Sequence, residues 1–69
     1  MAKTITTIAK NIKKRRKEKG LSQDKLSRLA DVSHATIIKI ESGGNKNPTI
    51  ETLSKIAKAL DVAVDDLIK

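Results

Sequence analysis

In the stretch Ser33–Glu41, SHATIIKIE, His34, Thr36 and Lys39 offer hydrogen-bond donors or acceptors, and Ala35 and Ile38 offer methyl groups. Successive helical residues project about 100° apart, so Ile37 and Ile40, at i and i+3, share one face. With those two turned inward, Ala35 and Lys39 point outward. Ile38 and Ser42 then lie on one shoulder, Thr36 on the other and His34 near the start. Such a face can hold a ligand by hydrogen bonds and apolar contacts. Taken alone, it reads first as a solvated surface with a histidine at a helix start.

Covalent chemistry has no comparable candidate. The only adjacent carboxylates, Asp65 and Asp66, diverge on a helix instead of sharing a proton, and they suit the positive end of a helix dipole. No nucleophile has a recognisable base, and Gly43-Gly44 reads as a helix end, not a phosphate loop. The chain has no cysteine and one histidine, which excludes disulfides and thiolate or His-cluster metal sites. Neither an enzyme nor a cofactor is expected.

Sixty-nine residues allow one small domain, spanning 1–69, with a modest core. Lys and Arg number 15 against 8 Asp and Glu, a formal net charge of +7. That excess favours a polyanionic partner, nucleic acid before an anionic membrane surface. Aromatic content is 0%, so no platform exists for stacking single-stranded bases. No apolar run approaches the roughly 20 residues of a membrane span, and the N-terminus lacks a signal-peptide core. A cytoplasmic location is expected.

The positioning elements are read from their punctuation. Ile5, Ile8, Ile12 and Arg16, with Ala9, mark a first helix over about residues 5–19, capped by Thr4, Thr6 or Thr7 and stopped by Gly20. Ser22 caps a second helix, Gln23–Ala30, with Leu21 and Leu26 as a hydrophobic staple. Ser33 caps a third, His34–Ser42, with Val32 and Ile37 as its staple. The linker Asp31-Val32-Ser33 is so short that the two helices must cross steeply. Thr49 caps a fourth helix with the stripe Ile50, Leu53, Ile56, Ala57 and Leu60. A short fifth helix lies between the staple residues Val62 and Leu67; Ala63 stands at its cap position, which makes it the frailest. The fold class is all-α.

Arg16 continues the apolar face of the first helix, and Glu41 extends the Ile37/Ile40 stripe. A charge aimed at a core is costly unless paired, so the two are expected to meet; the alternative is that both reach solvent from the edges of their stripes. The neighbouring run Lys13-Lys14-Arg15-Arg16-Lys17 points all round its helix and reads mainly as a solvated face adding long-range attraction.

The pattern Leu21-Ser22-Gln23-x-x-Leu26-x-x-x-Ala30-x-Val32-Ser33-x-x-Thr36-Ile37-x-x-Ile40-Glu41-x-Gly43 closely resembles the Cro/phage-repressor type, or XRE, helix-turn-helix family. The segment Pro48-Thr49-x-x-x-Leu53-x-x-Ile56-Ala57-x-Ala59-Leu60 and the closing Asp66-Leu67 resemble the same domain, so the likeness runs from about residue 8 to 68. It implies a five-helix, lambda-repressor-like DNA-binding domain, with the helix-turn-helix at about 23–42 and the third helix in the major groove. It also implies a salt bridge between Arg16 and Glu41.

On that resemblance His34, Ala35, Thr36, Ile38 and Lys39 are expected to read bases. Gln23, Ser33, Ser42, Asn45, Lys46 and Asn47 are expected to hold phosphates. The implied role is a transcriptional regulator, a repressor above all, occupying a two-fold symmetric operator as a homodimer, with Val62, Val64 and Ile68 as candidate contacts. A bacterial or phage origin and association with the nucleoid go with it. An antitoxin, a restriction–modification controller and a protein-interaction module that does not read DNA are the alternatives. Two departures stand out: Asp31 where the family often has Gly, and Ser27 where Ala is usual. Asp tolerates left-handed backbone, and the Ser27 hydroxyl is expected to bond a carbonyl one turn back.

Overall fold

The computed structural model describes residues 7–69. Among these residues five helices follow one another: α1 (Thr7–Glu18), α2 (Gln23–Ala30), α3 (His34–Ser42), α4 (Ile50–Leu60) and α5 (Val64–Ile68). Among the described residues there is no strand. Ile5, Thr4 and Thr6 lie outside the described residues. Thr7 is already helical, so it does not cap α1.

The starts of α2, α3 and α4 each carry a hydroxyl that accepts from the backbone three residues on: Ser22 from Lys25, Ser33 from Thr36 and Thr49 from Thr52. Helix α5 lacks that hydroxyl, and the Asp66 carboxylate compensates by accepting the Ala63 N–H at 3.1 Å. This is the reciprocal half of a capping box, supplied without its partner.

The ends of α2 and α4 are built alike. Asp31 (φ 59°, ψ 44°) and Asp61 (φ 60°, ψ 43°) both adopt the left-handed conformation. The next residue, Val32 or Val62, then donates its N–H to a carbonyl five residues back, Ser27 or Ala57 respectively.

Ile12, Leu26, Ala30, Ile37, Ile40, Leu53, Ile56, Ala57, Leu60 and Leu67 form one buried cluster drawn from all five helices. Helix α2 packs on α3 and α4, and α1 packs on α3 and α5. The Asn11 side chain fastens the last pair by donating to the Leu67 and Lys69 carbonyls at 3.0 and 3.1 Å. Ser27 is buried, and its hydroxyl donates to the Asp24 carbonyl at 2.6 Å.

Ile50 departs from the expected α4 stripe, being 70% exposed. It is the first residue of the helix, and the face that reaches the core begins only at Leu53. The next turn on, Ile56, Ala57 and Leu60, is fully inward.

Candidate nucleic-acid interface

Two contacts fix how α3 is presented. Along its inner side Ile37 and Ile40 are completely buried. At its C-terminal end Glu41, also buried, takes two bonds from one guanidinium: Arg16 Nε to Oε2 at 2.7 Å and Nη2 to Oε1 at 3.0 Å. The third arm, Nη1, donates to the Leu21 carbonyl at 2.8 Å, and Gln23 Nε2 donates to Glu41 Oε1 at 3.1 Å. One carboxylate therefore ties together α1, the start of α2 and the end of α3. Among the described residues no buried side-chain polar atom lacks a partner. A buried charge pair so fully bonded specifies geometry more than it adds stability.

The outer side of α3 is open. His34, Ala35, Ile38 and Lys39 are all exposed, and Ile38 retains 43% of its surface as an apolar spot beside the cation of Lys39. Thr36 is half-buried, and its hydroxyl shares a 2.7 Å hydrogen bond with Ser33 Oγ. Thr36 is thus committed to the cap and presents mainly its shoulder. Ser33 lends its side chain to the same cap, which takes the Thr36 N–H and leaves those of His34 and Ala35 to face an anion.

Gln23 sits at the first position of α2, but its amide nitrogen turns inward to Glu41. One of its donors is spoken for by the structure, and the second N–H is what it has to offer a phosphate.

Beyond α3 the chain folds back on the helix end. Gly43 is left-handed (φ 86°), and both Ser42 Oγ and the Asn45 N–H donate to the Lys39 carbonyl, at 3.1 and 3.0 Å. The Asn47 N–H donates to Asn45 Oδ1. Ser42 and Asn45 therefore shape this loop, while Lys46 and Asn47 stand exposed on it. On α1 the side chains of Lys10, Lys13, Lys14 and Lys17 are exposed, and Arg16 alone in that run points inward.

Asp24 and Arg28 on α2 were not among the residues singled out from the sequence. Asp24 Oδ1 lies 4.0 Å from His34 Nδ1, and its other oxygen, Oδ2, pairs with Arg28 Nη2 at 3.0 Å. The i, i+4 spacing of Asp24 and Arg28 is a signal for their own pair. Nothing in linear spacing announces the approach to His34, which depends on how α2 and α3 cross. Among the described residues there is no cluster of potential metal ligands and no helix long and apolar enough to cross a membrane.

Known proteins share this fold. A helix-turn-helix family model matches residues 12–67. The HTH-type transcriptional regulator SinR of Bacillus subtilis is 39% identical over 61 residues, which cover 88% of this chain and 55% of SinR. The chain spans about half the length of the curated relatives that it matches first, at 55%. The crystal structure of SinR, described as the master regulator for biofilm formation, in complex with DNA superposes with a TM-score of 0.85 at 40% identity, covering 87% of this chain and 95% of that one. The restriction-modification controller protein C.AhdI from Aeromonas hydrophila superposes with a TM-score of 0.86 at 26% identity, covering 93% and 96%.

Proposed function

The chain belongs to the helix-turn-helix family of the Cro/phage-repressor type, and from that premise we propose that it binds double-stranded DNA in a sequence-selective way and regulates transcription by occupying an operator. The observation that carries this reading is the two-sided build of α3. Its inner side is anchored by Ile37, Ile40 and the Arg16–Glu41 pair, while His34, Ala35, Ile38 and Lys39 are left exposed together. A rigidly held helix with donors and methyl groups on its free side matches what the major groove displays.

Lys39 suits the guanine acceptors, and Ala35 and Ile38 suit thymine methyl groups. Gln23, Ser33, Ser42, Asn45, Lys46 and Asn47 border this face at the helix starts and the following loop, where phosphates would run. One short helix reads few base pairs, so a homodimer on a two-fold operator supplies the missing specificity. Ile68, 48% exposed on α5, is its best-placed apolar contact; Val62 and Val64 are half-buried and pack against the core, so they can add only their outer edges. Such a regulator works in the cytoplasm, on the nucleoid. A phage-type repressor, a restriction–modification controller and an antitoxin would all use α3 in this way and differ in operator and partner.

Selection of bound sequences from a random duplex library tests the reading. A two-fold consensus whose affinity drops steeply with added salt is expected, since each neutralised phosphate releases counterions. Recovery of no consensus overturns it in favour of a protein-interaction module.

A further inference from the structure

The lone histidine of the chain stands at the first position of α3 with one ring nitrogen, Nδ1, facing the Asp24 carboxylate across the helix crossing. At 4.0 Å this is an electrostatic contact longer than a hydrogen bond. Both side chains are about half exposed, at 48% and 50%. Arg28, one turn further along α2, pairs with the other oxygen of Asp24 at 3.0 Å.

A neutral imidazole carries its proton on one nitrogen and offers the other as an acceptor, and the group facing one nitrogen settles which is which. A carboxylate favours the tautomer that turns an N–H toward it. Free imidazole side chains prefer the opposite arrangement, with the proton on Nε2. A carboxylate placed as Asp24 is favours the less common form, in which Nε2 is a bare acceptor.

The major groove gives that difference a meaning. Guanine presents only acceptors, O6 and N7, whereas cytosine N4 and adenine N6 are donors. We propose that Asp24 determines which base His34 reads: it holds the ring with Nδ1 protonated and inward, so that Nε2 accepts from an exocyclic amino group of cytosine or adenine and discriminates against guanine. Asp24 is a positioning residue here, and Arg28 steadies it from behind. The assignment rests on the placement of α3 in the major groove.

Because the chain has a single histidine, its ring nitrogens can be identified without ambiguity by long-range proton–nitrogen correlation NMR. The measurement belongs at about pH 8.5, above the ordinary imidazole range. The free protein is expected to show the proton on Nδ1, and Asp24→Asn is expected to move it largely to Nε2. Arg28→Gln, which leaves the carboxylate, should keep it on Nδ1. A proton on Nε2 in the unsubstituted protein, or no change in Asp24→Asn, overturns the proposal without any reference to DNA.

Library selection then tests the base. The position that His34→Ala relaxes should be cytosine or adenine for the unsubstituted protein. In Asp24→Asn guanine should gain there by roughly tenfold, the scale of one good base-edge contact. Guanine preferred at that position by the unsubstituted protein overturns the proposal. If the proton is on Nδ1 but no position depends on His34, the major-groove reading of His34 fails and the base assignment falls with it.

Discussion

The two ends of α3 each carry a carboxylate contact to a neighbouring helix, Glu41 to Arg16 of α1 and Gln23 of α2, and His34 to Asp24 of α2, and the two contacts are opposite in kind. At the C-terminal end Glu41 is 5% exposed and takes three charge-assisted or amide bonds of 2.7–3.1 Å from Arg16 and Gln23. At the N-terminal end His34 and Asp24 face each other at 4.0 Å with half their surface in solvent. The first fixes a helix in space, because Arg16 and Glu41 have almost no water to turn to. The second leaves the helix where it is and biases only a ring and a proton. The difference teaches that burial, more than charge, decides whether a carboxylate contact acts on the fold or on the reading surface.

The comparison breaks most readily at the buried end. Glu41→Ala leaves the Arg16 guanidinium without its carboxylate, and a loss of about 3–5 kcal/mol in denaturant unfolding is expected. Replacing both partners, as in Arg16→Met with Glu41→Leu, should recover most of that loss, since apolar groups of similar size often substitute for a buried pair without penalty. If the double substitution is as unstable as the single one, the pair is contributing net stability and not only orientation.

Ile38→Ser tests the open side. Operator affinity should fall by roughly tenfold through lost contact with a thymine methyl, while unfolding free energy changes by about 0.5 kcal/mol or less. The reverse pattern, a stability loss with affinity unchanged, would make Ile38 part of the core. The smallest effect belongs to the exposed pair: Asp24→Asn should alter stability by less than about 1 kcal/mol, as half-exposed charges are screened by water. A larger loss in thermal unfolding would show that the His34–Asp24 contact fastens the two helices and would erase the distinction between the ends.

Much of the fold was legible in the sequence, because its signals are local. Ser22 and Ser33 each stand between the two members of an apolar staple, and α2 and α3 begin immediately after them and span the residues expected. Charges on apolar stripes pointed to Arg16 and Glu41. Ile50 belongs to the periodic stripe yet is exposed, because periodicity does not say where along a helix burial begins. Asp66 as a substitute cap was hidden because a carboxylate in a first turn is already accounted for by the dipole.

For the candidate site, the face of α3 follows from its own periodicity. What lay beyond sequence were the contacts made across helices. The inward turn of the Gln23 amide, the approach of Asp24 to His34 and the grip of Asn11 on the end of α5 all depend on crossing geometry, which no spacing within one helix encodes.

The left-handed aspartate and the valine after it close α2 and α4 in the same backbone conformation. One joint has been used twice, followed in one place by a helix that faces outward and in the other by a helix that seals the bottom of the core. Because the bend is made before either helix begins, it is indifferent to what the next helix spells. Substitutions along the free side of α3 can change its message without altering the angle at which that message is held up, which is the condition for one scaffold to acquire new operators by small steps.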